Sequence, residues 1–338
     1  MNRILVVSPN WLGDAVFSTP VYRALRDAYP SALIAALAVP RVGPVLALCP
    51  FIDEVISYDE EGADRPLLKK RALVSRLKEK KFDAVFILRH SLSRTFLLWL
   101  AGIPVRVGFG RGLSRRILTH IVDEGGLETL HRSDAYLRVV ESFGCRVMDR
   151  RYGLDVPGTV RKQARDFLVA RGLSSGEDYV VLNTGGNWDL KQWPEEHFSR
   201  LAVWFTRHEG LKVVLPGAKK DIERARRISR AVGEGAIVVA GETCLDRLAA
   251  IFQDARVVVS ADSGPLHLAS SVGAKVIALF GPTHPLITGP RGRGPAVVIH
   301  KDVGCNKAAC YYLECPDNQC MKRIEVEDVI LAYEKLES

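Results

Sequence analysis

Residues 260–285 read SADSGPLHLASSVGAKVIALFGPTHP. The stretch is a helix start set between two apolar, β-branched runs, Ala255 to Ser260 before it and Lys275 to Phe280 after it. Runs of that kind mark strands buried on both faces of a parallel sheet. Asp262 and Ser263 stand where a helix takes its caps, Gly264 lets a ligand approach the backbone, Pro265 suits the first turn, Leu266 follows it and His267 projects from it. Free amides at such a turn attract an anion, so the stretch predicts a strand–helix–strand unit whose helix start faces a phosphate. The competing reading of this segment alone is an ordinary crossover whose caps serve only the helix.

Two further strand-to-loop junctions follow the same pattern. Arg3 to Ser8 (RILVVS) reads as a buried strand, followed by Pro9-Asn10-Trp11-Leu12-Gly13-Asp14 and a helical run from Ala15 to Tyr29. Ligands of open α/β sheets bind beyond the carboxyl ends of the strands, so Asp14 faces the binding side, or else it caps its helix. Val180 to Leu182 leads into Asn183-Thr184-Gly185-Gly186-Asn187-Trp188-Asp189-Leu190-Lys191-Gln192-Trp193-Pro194, with a helix starting near Pro194. Lys191 there suits a phosphate as a point charge, or is simply solvated.

At 338 residues the chain exceeds the size at which one core stops growing, so two domains are expected. Strand-like runs at 3–8, 33–38, 84–88, 105–108, 180–183, 212–215, 236–240, 256–260, 275–280 and 296–299 alternate with helical ones, which means a parallel α/β architecture. The rhythm breaks near Gly153 to Thr159, where Pro157 and Gly158 precede a helix at Val160 to Arg171.

The three junctions together resemble glycosyltransferase family 9, the ADP-heptose:lipopolysaccharide heptosyltransferases. The carriers are Gly13-Asp14, Lys191-Gln192-Trp193-Pro194, Asp262-Ser263-Gly264-Pro265-Leu266-His267 and Gly281-Pro282-Thr283, in order across nearly the whole chain. The opening SPNWLGDAVFSTPVYRAL is most similar to the heptosyltransferase II branch. The resemblance implies the GT-B fold: two doubly wound Rossmann-like domains facing a central cleft. Residues 1–155 would bind the acceptor and 156–322 the nucleotide sugar, with the final helix, in 323–338, packing back on the first domain.

Glycosyl transfer needs a base for the acceptor hydroxyl, positive potential for the departing diphosphate and a pocket that orients the sugar. The resemblance makes Asp14 the base, with Gly13 letting the backbone come close. Lys191, Thr184 and the amides of Gly264 to Leu266 would hold the diphosphate, with Ser263 and Pro265 shaping that turn. His267 would donate to a phosphate or sugar oxygen, or be a histidine satisfied in packing. Asp262 repels phosphate and so would accept from sugar hydroxyls or loop amides. Glu223, in a region that contacts the nucleoside in similar enzymes, would bind ribose hydroxyls, or is solvated. Gly186-Asn187-Trp188 stand where the family pattern often has hydroxyl residues. The resemblance implies inverting transfer of heptose from ADP-heptose, as the second heptose of the inner core, with no metal or other cofactor, and the lack of an Asp-x-Asp pair at a strand end fits that metal independence.

Charge supports an anionic acceptor. Residues 1–155 carry 23 Lys and Arg against 17 Asp and Glu, and the remainder 24 against 22. The excess gathers in Arg89, Arg94, Arg106, Arg111, Arg115 and Arg116, the last four in the glycine-rich run RVGFGRGLSRR, while KEKK at 78–81 reads as a solvated face. Nothing resembles a nucleic-acid-binding signature, and an anionic lipopolysaccharide inner core fits better. No secretory signal is recognisable, and Ala32 to Ile52 is broken by Arg41, Pro40, Pro44 and Pro50, so a cytoplasmic protein with peripheral contact to the inner membrane is expected.

Cys305, Cys310, Cys315 and Cys320 recur every five residues. Reduced thiols are favoured over a structural metal there, whereas Cys49, Cys145 and Cys244 read as small buried hydrophobes. Two alternatives stay open: a transferase for another nucleotide sugar or acceptor, and a non-catalytic sugar-nucleotide-binding protein. A nicotinamide dehydrogenase is dismissed, since no G-x-G-x-x-G turn follows the first strand and Trp11 and Leu12 stand where glycines would be needed.

Overall fold

The structure is a computed structural model and describes residues 1–305, 310 and 315–338. The chain divides into two compact units, Met1–Asp155 and Val156–Ser338. The first is built on six parallel strands: β1 (Arg3–Val7), β2 (Leu33–Ala38), β3 (Glu54–Ser57), β4 (Ala84–Ile87), β5 (Val105–Phe109) and β6 (His120–Val122), in the order β3-β2-β1-β4-β5-β6. Ile4 pairs with Ile34 on one side and Ala84 on the other, so β1 is central and its apolar run is buried on both faces.

The sequence reading lacked β3 and β6. Both are edge strands of four and three residues, with one side open to solvent, so neither needs the apolar run by which buried strands are recognised. The helix expected from Ala15 to Tyr29 is two helices, Leu12–Phe17 and Thr19–Ala28. Pro20 is the cause, since it has no N–H to donate to Val16 and its ring crowds that carbonyl. Ser18 and Thr19 hydroxyls instead donate to the carbonyls of Ala15 and Val16 at 2.7 and 2.9 Å.

The second unit repeats the plan with β7 (Tyr179–Asn183), β8 (Lys212–Leu215), β9 (Ala236–Val238), β10 (Val258–Ala261), β11 (Val276–Phe280) and β12 (Ala296–His300), ordered β12-β11-β10-β7-β8-β9. In the terminal helix, Val326–Glu337, the residues Val326, Val329, Ala332 and Tyr333 join the core of the second unit, where the Tyr333 ring lies 5.1 Å from that of Phe205. That stripe at 326, 329, 332 and 333 is the helical period of a core-facing side. Cys49 and Cys145 are buried as expected, but Cys244 is exposed, because it precedes the helix Leu245–Gln253 at its N-cap. Among the described residues no helix is long and apolar enough to cross a membrane.

Both sheets reverse strand order once, between β1 and β4 and between β7 and β10. Such switch points open a crevice beyond the strands' carboxyl ends. Each unit therefore offers one place for a ligand, and the polar residues of both units collect there.

Candidate functional site

Asp14 and Arg89 leave the loops after β1 and β4, at the first unit's switch point. Asp14 does not cap its helix: the N-cap position is Trp11, no side chain caps it, and Asp14 lies inside the first turn. Its Oδ1 accepts a hydrogen bond from Tyr136 Oη at 2.7 Å, and Arg89 Nη1 stands 3.8 Å from Oδ2. Tyr136 comes from the helix Arg132–Glu141, whose N-cap is His131, with Nδ1 accepting from Ser133 N at 3.1 Å. Burial, and then the Asp14 charge and hydrogen bond, hold the Tyr136 hydroxyl well above its ordinary pKa, so it stays a donor. Asp14 is thus a carboxylate with one oxygen fixed by a buried phenol and the other turned to a loose, half-exposed cation. Tyr136 lies 122 positions away and has no local signal in the sequence.

The arginines divide by partner. Arg111 forms a fork with Glu124, with 2.8 Å from Nε to Oε2, while its side chain stays exposed, and Arg106 donates to the carbonyls of Ile103, Pro104 and Ile117. Arg115 and Arg116 are exposed on the short helix Ser114–Ile117. Arg94 turns inward instead: its Nε donates to Glu60 Oε2 and its Nη2 to Asn10 Oδ1, both at 3.0 Å. These groups, with Arg41 and Glu61, line a cavity of about 210 Å³ beside the Asp14 loop. It is smaller than the ~300 Å³ of the least drug-sized pockets and so has room for a single sugar ring. Arg41 donates to Asn10 O at 2.8 Å and lies 4.5 Å over the half-exposed Trp11 ring.

At the second unit's switch point the residues expected from the sequence converge. Asp262 follows β10, and its Oδ2 accepts from Lys191 Nζ at 2.7 Å and Thr288 Oγ1 at 3.2 Å, while Oδ1 lies 3.1 Å from His267 Nε2. A carboxylate only accepts, so Nε2 carries the proton. Burial works to raise the Asp262 carboxyl, but the hydrogen bond and charge of His267 and the ammonium of Lys191 outweigh it and hold it far below the ordinary carboxylate range. Asp262 thus links Lys191, His267 and Thr288 through its two oxygens, and a sugar hydroxyl or loop amide would share them with these partners. His267 is buried and satisfied on that side, while Lys191 keeps a quarter of its side chain open. Trp193 fixes the Lys191 loop from below, its buried indole N–H donating to Ile324 O at 2.7 Å.

Ser263 sits at the N-cap of the helix Gly264–Ser271, but neither it nor Asp262 caps that helix. Its hydroxyl is 3.3 Å from Asn183 Nδ2 and 3.2 Å from Ser260 Oγ. The amides of Gly264 and Leu266 are therefore left without a capping side chain, at the positive end of the helix. Thr184, next after β7, is 1% exposed, and its hydroxyl has no partner among the described residues; Thr283, after β11, is alike. Buried hydroxyls seldom stay unpaired unless something else meets them. Glu223 is not part of the cluster: it is exposed on the helix Ile222–Val232 and pairs with Arg226 at 2.8 Å.

The four clustered cysteines are described, although residues 306–309 and 311–314 between them lie outside the described residues. Burial, with Cys315 and Cys305 nearby, pushes the Cys320 thiol up. Among the described residues no three Cys, His, Asp or Glu converge as metal ligands.

Two Rossmann-like units, each with a polar cluster at its switch point, define the two-domain architecture of GT-B glycosyltransferases. Residues 70–315 match the profile of glycosyltransferase family 9 (heptosyltransferase), and the chain belongs to that family. It is similar to lipopolysaccharide heptosyltransferase 2 of Escherichia coli K12, 28% identical over 312 residues that cover 88% of this chain and 87% of that protein. Among solved structures it is similar to a glycosyl transferase of family 9 from Veillonella parvula (TM-score 0.85, 28% identity, 100% and 98% of the two chains). It is also similar to the E. coli ADP-heptose lipopolysaccharide heptosyltransferase II (TM-score 0.82, 26% identity, 100% of both chains). The protein is a glycosyltransferase.

Proposed function

We propose that this glycosyltransferase moves heptose from ADP-heptose to the inner core of lipopolysaccharide, adding the second heptose with inversion and without a metal. The observation that carries the reading is the Lys191–Asp262–His267 cluster beside an uncapped helix start. It offers a fixed cation, two amides and the orphan hydroxyl of Thr184 to a diphosphate, and positive potential of that kind stabilises a departing phosphate without a cation. The second unit is then the donor unit. The nucleoside end has weaker support, because Glu223 would have to leave Arg226 to reach a ribose.

In the first unit Asp14 is the candidate base. Held by Tyr136, it would take the proton of the acceptor hydroxyl as that oxygen attacks the anomeric carbon and the bond to the diphosphate breaks. A single displacement of this kind, with no covalent glycosyl intermediate, inverts the anomeric centre. Gly13, Arg89, Arg115 and Arg116 would meet the anionic acceptor, with one of its sugars in the cavity at Asn10 and Arg41. The similarity to type 2 enzymes supports the second-heptose step, and an acceptor of that kind places the enzyme at the cytoplasmic face of the inner membrane.

The test is mass spectrometry of the protein incubated with ADP-heptose and two soluble inner-core acceptors, one bare and one carrying a single heptose. Gain of one heptose on the monoheptosyl acceptor alone, undiminished by a chelator, is the expected result. Gain on the bare acceptor moves the reaction one step earlier, and no product on either contradicts the reading.

A further inference from the structure

The helix Leu92–Leu100 (LSRTFLLWL) is turned against the ordinary rule. Arg94 and Thr95 face inward, 9% and 2% exposed, while Phe96 is 45% and Trp99 48% exposed. Leu97 and Leu98 supply its packing onto the sheet, in one core with Leu73 and Leu77. The outer face carries Leu92, Phe96, Trp99 and Leu100 with Ser93, and the rings of Phe96 and Trp99 are 5.6 Å apart. Exposed apolar surface of this kind marks an interaction site.

The neighbouring helix, Leu67–Glu79, packs beside it. Leu67 and Leu68 are exposed at its start, followed at once by Lys69, Lys70 and Arg71. Both helices begin beyond the carboxyl ends of the strands they follow, the end of the sheet that carries Asp14. Aromatic rings and leucines flanked by lysines are the composition of surfaces that rest in a bilayer interface, where the rings sit among headgroups and the cations meet anionic lipid.

We infer that the face formed by Leu92, Phe96, Trp99 and Leu100 with Leu67, Leu68, Lys69 and Lys70 docks the first unit on an anionic lipid surface, so that the acceptor reaches Asp14 still anchored in its membrane. The inference rests on the reading of the acceptor as a lipid-linked glycan. The occupant is lipid, because Lys69, Lys70 and Arg71 beside the exposed leucines and aromatic rings complement anionic headgroups.

The experiment is co-sedimentation of the full chain with vesicles of phosphatidylethanolamine and phosphatidylglycerol, against vesicles of phosphatidylcholine alone, with quenching of tryptophan by brominated lipid. The wild type should bind the anionic vesicles and be quenched. Phe96→Ser with Trp99→Ser should lower binding by at least about tenfold and remove most of the quenching. Lys69→Glu with Lys70→Glu should lower binding to anionic vesicles by more than about tenfold and abolish the preference over neutral ones, since each cation near such a surface is worth about fivefold. Both double variants should keep wild-type turnover on a soluble acceptor. Unchanged sedimentation of both variants, no sedimentation of the wild type, or a wild-type dimer that Phe96→Ser with Trp99→Ser dissociates would overturn the inference. If the wild type binds vesicles yet transfers no heptose to a soluble acceptor, the lipid face stands and the reaction assignment fails.

Discussion

Lys191 Nζ lies 2.7 Å from Asp262 Oδ2, and the same carboxylate holds His267 on its other oxygen. The Lys191 ammonium is therefore positioned before any ligand arrives, and its partner is buried. Removing one member of a buried charge pair leaves the other uncompensated, which typically costs about 3–5 kcal/mol. Asp262→Ala should lower stability by that order and weaken ADP-heptose binding, as read by urea unfolding and calorimetric titration.

The same carboxylate sets an acid limit. Its folded pKa lies below the ordinary value near 3.9, so its contribution is fully present above about pH 5 and is lost as pH falls through the ordinary value toward the depressed one. The stability gap between the wild type and Asp262→Asn should be constant above about pH 5 and shrink below about pH 4. A gap that widened on acidification would contradict the arrangement.

Thr184 gives a test in which stability and binding move in opposite directions. Its buried hydroxyl has no partner among the described residues, and an unpaired buried donor costs about 1–3 kcal/mol. Thr184→Val should raise the unfolding midpoint while weakening ADP-heptose binding by about tenfold. Unchanged donor affinity in a stabilised variant would remove Thr184 from the donor site.

Tyr136→Phe deletes the one hydrogen bond that fixes Asp14 Oδ1. A net hydrogen bond to a charged group is worth about 1.5–3 kcal/mol, so kcat should fall by about tenfold or more with the donor Kd unchanged. A rise in donor Kd with kcat intact would mean that the tyrosine serves the fold and not the base.

Arg115 and Arg116 are exposed, whereas Arg111 is already paired with Glu124. Arg115→Ala with Arg116→Ala should raise the acceptor KM several-fold and flatten its salt dependence, and Arg111→Ala should do less. Initial rates at low and high salt measure both.

The buried strands and the Lys191–Asp262–His267 cluster were legible because each is local. The strands β1, β4, β7, β10 and β11 are mostly apolar, and Lys191, Asp262 and His267 lie in the segments that directly follow β7 and β10. What escaped is what depends on distance along the chain. Tyr136 reaches Asp14 across 122 positions, and the cavity at Asn10 draws Arg41, Glu60 and Arg94 from three other loops and helices. The partners of Asp262 escaped for the same reason: an acidic residue at a helix start looks like a cap, and only the fold brings Lys191 and Thr288 to it. The outward face of Leu92–Leu100 was hidden by its own composition, since a run so rich in leucine reads as core on every side.

The measurement that tests the central claim most directly is the single-turnover rate of heptose transfer by the wild type and by Asp14→Asn, with ADP-heptose binding measured on both. Loss of a general base typically costs about a hundred- to ten-thousand-fold, and the account predicts a fall of that size at unchanged donor affinity. A variant that keeps the wild-type rate would show that Asp14 is not the base.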